Sequence, residues 1–242
     1  MSCEVPATDA GVKTLVLLPG MDGSGDLFSR FVRALGPGID ACVLRYPTQA
    51  PMGYAELAAW VHERLPANRP YALLAESFSG PIGIELAAQS PTMLKGLVLC
   101  CTFASNPRPA MRLLSPMLGA MPLAALPVGP LGRVLMGRLF EQALQADLSA
   151  AISPLSTPVM RARLQAVLTV DMTVRLRDLR LPVLDLRAGD DAVVPRSAAR
   201  LLQRFKPDAE CVELAGPHFL LQTRPAEAAE VVKRFMARLI GL

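Results

Sequence analysis

Short apolar runs that alternate with amphipathic stretches constrain this chain more than any other feature. Lys13–Leu18 (KTLVLL), Asp40–Arg45 (DACVLR), Tyr71–Ala75 (YALLA) and Leu94–Cys101 (LKGLVLCC) are apolar almost throughout. They are too short for buried helices and lack the polar alternation of a half-solvated strand. Strands of that kind are buried on both faces, as in a parallel sheet covered by helices. The stretches between them supply the helices: Asp26–Leu35, Tyr54–Leu65 and Gly80–Gln89 place apolar residues at helical spacing. The rhythm returns with a strand at Leu181–Leu186, a helix at Arg196–Phe205, a strand at Glu210–Leu214 and a helix at Arg224–Leu239. The implied architecture is α/β, a mostly parallel sheet flanked by helices.

From Asn106 to Leu179 the pattern breaks. This region is rich in Pro, Met, Leu and Ala, shows no strand, and reads as helical near Leu131–Ala150 and Thr157–Thr169. Residues 1–105 and 180–242 are therefore assigned to the core and 106–179 to a helical insertion. With 242 residues, 52% hydrophobic and 19% charged, the chain can bury a large core. No run reaches the roughly 18 apolar residues of a membrane span. The N-terminal stretch lacks the basic and apolar regions of a signal peptide. Five cysteines without paired spacing do not read as a disulfide framework. No CxxC or HxxxH spacing suggests a metal, and no cofactor is expected. A reducing, cytoplasmic setting is the expectation. Nucleic acid is a poor partner for a chain with 5% aromatics and a net charge of only +4. The charge is uneven, however. From Asn106 to Arg180 the chain carries nine Arg, no Lys and four acids, +5 in all, which leaves −1 for the rest. Such a segment is either a solvated Arg-rich face or a positive rim for an acidic partner.

The sharpest local signal is Ala75-Glu76-Ser77-Phe78-Ser79-Gly80, which follows a strand and opens a helix. A nucleophile elbow requires that context. The turn is so tight that the residues two before and two after the serine must be small. Ala75 and Ser79 stand where glycines are usual. A helix N-cap would also place a serine here, but it predicts no histidine partner downstream. A serine hydroxyl needs a base to become a useful nucleophile, and histidine suits that task near neutral pH. Of the two histidines, His62 lies within a helix and reads as a surface or packing residue. His218 follows the last strand, in Leu214-Ala-Gly-Pro-His-Phe, where parallel sheets place active groups. The acid that orients such a histidine is expected in the loop after LPVLDLRAG, where Asp190 and Asp191 compete. No carboxylate follows the Leu94–Cys101 strand. Asp185, inside a strand, has no role in this scheme beyond a possible pairing with an Arg. Backbone N–H groups of Phe78 and of the first loop, Leu18-Pro-Gly-Met-Asp-Gly23, are the candidates to hold an oxyanion.

The succession LLPGMDGSG, LLAESFSGPIG, LRAGDDAVVP and AGPHFLLQTRP resembles the α/β-hydrolase superfamily over nearly the whole chain. It is similar in particular to a bacterial subgroup of α/β-fold serine hydrolases. The resemblance implies a triad of Ser77, Asp191 and His218, with Met21 and Phe78 forming the oxyanion hole. It favours Asp191 over Asp190, because the family acid commonly stands directly before an xVVP stretch. It also implies that 106–179 caps the site and shapes an acyl pocket, to which Met111, Met117, Met121, Met136 and Met160 are candidate contributors. The implied activity is hydrolysis of a small or medium acyl ester. An alternative is an ester or thioester carried on acidic acyl carrier protein, as with the esterases that act on pimeloyl-acyl carrier protein methyl ester. From another class comes a ligand-sensing protein with little turnover.

Overall fold

The computed structural model describes residues 12–112 and 128–239. Its centre is a six-stranded sheet, every neighbouring pair parallel. The strands are β1 Thr14–Leu18, β2 Asp40–Val43, β3 Tyr71–Glu76, β4 Leu94–Cys100, β5 Val183–Ala188 and β6 Glu210–Leu214. Their spatial order is β2-β1-β3-β4-β5-β6. The chain thus leaves β1 towards one edge and then reverses to build the rest on the other side. In open parallel sheets, the crevice at such a reversal, beyond the carboxyl ends of the strands, is where ligands bind. Here it lies between the loops that leave β1 and β3, which pair with each other as far as Leu18 and Ala75.

Successive side chains of a strand point to opposite faces, and the core divides accordingly. Leu15 and Leu17 of β1, Ala72 and Leu74 of β3 and Leu184 and Leu186 of β5 join one cluster. That cluster is completed by helix α1 (Ser29–Leu35) and helix α10 (Pro225–Ala237). Val16, Leu18, Leu73, Ala75, Leu97 and Leu99 face the other way. They meet α2 (Tyr54–His62), α3 (Gly80–Ala88) and α8 (Arg196–Phe205). Both faces being covered explains why the strand runs carry no polar alternation. Helix α3 approaches β3 so closely that a Cβ at Gly83 would stand 2.8 Å from that of Ala75, so only glycine fits there.

Between β4 and β5 the described residues form α4 (Val128–Met136), α5 (Gln142–Ile152), α6 (Thr157–Thr169) and α7 (Thr173–Asp178). The single helix expected over Leu131–Ala150 is two. Gly137 adopts φ +51 within a tight turn, Phe140 leaves the helical region and Glu141 is extended, so the helix breaks between Met136 and Gln142. The break lets both halves bury a face against a shared cluster of Leu135, Met136, Leu144, Leu148 and Ala151, joined by Leu27 and Phe219 of the core. Helix α7 and the short α9 (Leu220–Thr223) were not expected from the sequence. Among the described residues no helix is long and apolar enough to cross a membrane.

Candidate active site

Ser77 stands at the turn from β3 into α3 with φ +50. A non-glycine residue in the left-handed region stores about 1–3 kcal/mol of strain and persists only where its surroundings enforce it. The enforcement is visible. Thr102, at the carboxyl end of β4, donates its hydroxyl to the Ser77 carbonyl. Ser79 is fully buried and donates to the Pro19 carbonyl in the loop after β1, and its oxygen lies 2.6 Å from the Tyr46 hydroxyl. The departure from glycine at this position therefore has a structural use, since the hydroxyl ties the elbow to the neighbouring loop. Phe78 is buried and its ring stacks on Tyr54 at 4.8 Å.

Three of the residues singled out from the sequence meet. Ser77 Oγ lies 2.8 Å from His218 Nε2, and His218 Nδ1 lies 2.8 Å from Asp191 Oδ2. His218 and Asp191 side chains are nearly inaccessible, 4% and 8% exposed. An ionised carboxylate can only accept hydrogen bonds, so the Asp191 contact places the imidazole proton on Nδ1. The lone pair of Nε2 is then free to receive the Ser77 proton. The second Asp191 oxygen accepts from the backbone N–H of both Val193 and Val194, each at 2.8 Å, which fixes the carboxylate. Asp190 is exposed. Its backbone N–H donates to the Gly216 carbonyl at 2.9 Å, pinning the acid's loop to the histidine's loop. His62 is exposed at the end of α2. Asp185 is buried, but its partner is Arg187, two residues along the same face of β5.

The site opens into a cleft of about 190 Å³. Gly20, Met21, Ser77 and His218 line it from the core, and Leu131, Leu135, Leu148, Ile152 and Met160 line it from α4, α5 and α6. Of the methionines named above, Met160 reaches the cleft and Met136 lies in the core of the helical segment. Met111 is 45% exposed and serves neither. Met117 and Met121 lie outside the described residues. The histidine's loop is anchored to the same segment, because the Phe219 N–H donates to the Leu135 carbonyl at 2.9 Å. Among the described residues no group of three or more His, Cys, Asp or Glu side chains is placed to hold a metal.

Sequence reasoning passed over Glu76. This carboxyl is buried beside the nucleophile and accepts a hydrogen bond from Gln222 Nε2 at 2.9 Å. The bond joins the strand that bears Ser77 to the helix that follows His218. Burial pushes the Glu76 carboxyl up to about 7, with Asp22 adding to the rise and Gln222 and His218 opposing it. Below its ordinary value of 4.5 the group is protonated in folded and unfolded chains alike, and its burial is harmless. As pH rises from there the unfolded chain ionises first, so stability is lost up to about pH 7 and remains lost above it. The loss is on the order of 3 kcal/mol. Glu76→Gln keeps the shape and cannot ionise. Urea unfolding is expected to show it more stable than the wild type by up to that amount near pH 8 and equal near pH 4. A difference that does not change between the two conditions would refute a carboxyl held neutral.

A model of the alpha/beta hydrolase family matches residues 15–231. Among curated proteins, Putative carbamate hydrolase RutD from Caulobacter sp. (strain K31) is 27% identical over 261 residues, covering 96% of this chain and 92% of that one. Two solved structures show the same fold. The enol-lactonase from Burkholderia xenovorans LB400 superposes with a TM-score of 0.79 at 17% identity, over 93% of this chain and 91% of its own. The esterase RhEst1 from Rhodococcus sp. ECU1013 superposes with a TM-score of 0.76 at 23% identity, over 94% and 91%.

Proposed function

Because this chain belongs to the alpha/beta hydrolase family, we propose that its hydrolase activity is that of a serine enzyme cleaving carboxylic esters of small or medium acyl chains. The observation that carries the reading is the unbroken line from Ser77 Oγ through His218 to Asp191, set on a strained elbow at the floor of an apolar cleft. In this reading Ser77 Oγ attacks the acyl carbon while its proton passes to His218 Nε2. The oxygen that becomes negative is received by the N–H groups of Met21 and Phe78. Collapse of the tetrahedral species expels the alcohol, which takes the proton from His218 and leaves the acyl group on Ser77. Water, deprotonated by His218, then repeats the attack and releases the acid. Residues 106–179 act as the cap, and α4–α6 supply the acyl pocket.

The cleft argues for modest chains. At about 190 Å³ it is smaller than the roughly 300–1,000 Å³ of sites that enclose drug-sized ligands. A second reading, an acyl group delivered by acidic carrier protein, is favoured by Arg133 and Arg138. Both are exposed on the segment that lines the cleft. Not all nine arginines contribute to such a rim: Arg163 is buried, Arg175 pairs with Glu85 and Arg177 pairs with Asp178. One experiment addresses both readings. p-Nitrophenyl esters from acetate to palmitate are expected to give a kcat/KM that peaks at butyrate to octanoate and falls roughly tenfold or more at palmitate. An aryl carbamate in the same panel tests the chemistry named for the Caulobacter relative. A carrier-linked acyl ester is measured across a salt series. Steering by Arg133 and Arg138 requires its rate to fall steeply with salt while the neutral esters stay level. No turnover of any ester would leave the ligand-sensing alternative in place of the esterase.

A further inference from the structure

Among the described residues Arg163 is the largest side chain that the fold buries completely, 1% exposed. It comes from α6, in the segment between β4 and β5. Burial pushes its guanidinium pKa down, and among the described residues no carboxylate forms an ion pair with it. Its hydrogen-bond partners are backbone carbonyls. Nη1 donates to Met21 O at 2.6 Å and to Asp22 O at 3.0 Å, and Nη2 donates to Pro47 O at 3.0 Å. One flank faces the Tyr46 ring at 5.7 Å. The other packs so tightly on Gly23 that a Cβ there would stand 2.7 Å from Nη1, and Gly23 itself has φ +69.

A buried cation with no carboxylate in direct contact, Asp22 acting on it only at longer range, is an expensive way to fill space, and apolar residues of similar volume commonly serve a core as well or better. This one is aimed at a single turn. From inside, the Gly23 N–H closes the turn onto the Gly20 carbonyl at 3.0 Å. From outside, Nη1 of Arg163 donates to the next two carbonyls, those of Met21 and Asp22, while Nη2 anchors the guanidinium to Pro47. With the peptides on its C-terminal side held from both directions, Met21 cannot readily rotate its own N–H. We propose that Arg163 is the positioning residue of the oxyanion loop. It fixes the Met21 N–H towards the acyl oxygen and couples the cap helix α6 to the donor that stabilises the transition state. This rests on the serine-hydrolase reading. A donor that must be fixed before charge develops acts on the transition state far more than on the bound substrate.

The test uses Arg163→Met and Arg163→Lys in the full chain. kcat and KM are measured for a p-nitrophenyl ester, affinity is measured for a trifluoromethyl ketone transition-state analogue, and active sites are counted by end-point fluorophosphonate labelling. Per labelled site, kcat is expected to fall roughly 10- to 100-fold while KM stays within about threefold. Affinity for the ketone should fall in step with kcat. Lysine keeps the buried charge and the apolar stem but reaches fewer carbonyls than the fork, so it is expected to follow the same pattern at smaller amplitude. Should Arg163→Met fail to fold, Arg163→Lys alone carries the test. In Arg163→Ala, added methylguanidinium is expected to restore part of kcat and to leave the wild type unchanged. Wild-type kcat per labelled site in Arg163→Lys, whatever its melting temperature, would overturn the proposal, as would a loss confined to KM. The underlying reading fails separately. A wild type that is not labelled at Ser77, with a Ser77→Ala protein that keeps its turnover, would remove it regardless of any result at Arg163.

Discussion

Ser77→Ala is expected to lower kcat for ester hydrolysis by roughly a millionfold, the scale on which a hydrolase loses its nucleophile. The hydroxyl is the only part of the residue that the proposed chemistry uses, and its removal leaves the elbow's backbone anchors, the Thr102 and Ser79 hydrogen bonds, in place. The melting temperature should therefore barely move. Ser77→Gly adds a second, independent reading of the same turn. Glycine adopts φ +50 without the steric penalty that serine bears here. The glycine variant is expected to be equally inactive yet at least as stable as the alanine variant, since relief of strain offsets the greater freedom of its unfolded chain. Covalent labelling by a fluorophosphonate should map to Ser77 in the wild type and be absent from both variants. Hydrolysis by either variant at near-normal kcat would end the serine-hydrolase reading. Lost activity accompanied by lost folding would place Ser77 among structural residues instead.

The central strands β1, β3, β4 and β5 were legible because they are buried almost throughout and show up as apolar runs without alternation, whereas the edge strands β2 and β6 are partly exposed. The elbow was legible because Ala75, Ser77, Ser79 and Gly80 lie within six residues of one another, and the sterics of one turn dictate them. What escaped the sequence reading are features whose partners are far apart. Glu76 and Gln222 are 146 positions apart, and each looks like an ordinary polar residue beside a more conspicuous neighbour. Arg163 is one of nine arginines from Asn106 to Arg180. No local pattern marks the one that turns inward, and counting charges assigned it to a surface it does not share. The break between α4 and α5 was hidden by the composition around Gly137. Leu, Met, Arg and Ala favour helix on both sides, and a lone glycine in a helical run is often tolerated. The helix ends there, and the two shorter helices share one buried cluster with Leu27 and Phe219. Gln222 had one visible signal, its position four residues after His218, close enough to brace the histidine's loop.

The acid should separate two adjacent residues that the sequence leaves in competition. Asp191→Asn is expected to lower kcat about 10,000-fold, and Asp190→Asn to change it by less than about twofold. The side-chain amide of the first variant can present its NH₂ to His218 Nδ1. That stabilises the tautomer with the proton on Nε2, and an Nε2–H cannot accept the Ser77 proton. The fold should survive, because the amide oxygen can still receive the Val193 and Val194 N–H groups that Asp191 Oδ1 now accepts. Asp190 contributes through its backbone, whose bond to the Gly216 carbonyl no side-chain change removes. The effect of Asp191→Asn should fall on kcat with KM little altered, since the imidazole is needed after binding and not for it. ¹⁵N NMR of the His218 ring gives a check that does not depend on turnover. At neutral pH the proton should sit on Nδ1 in the wild type and in Asp190→Asn, and on Nε2 in Asp191→Asn. If the two aspartate variants lose activity equally, or if the ring tautomer is the same in both, Asp191 is not the orienting acid. The contact at 2.8 Å would then be a structural pairing.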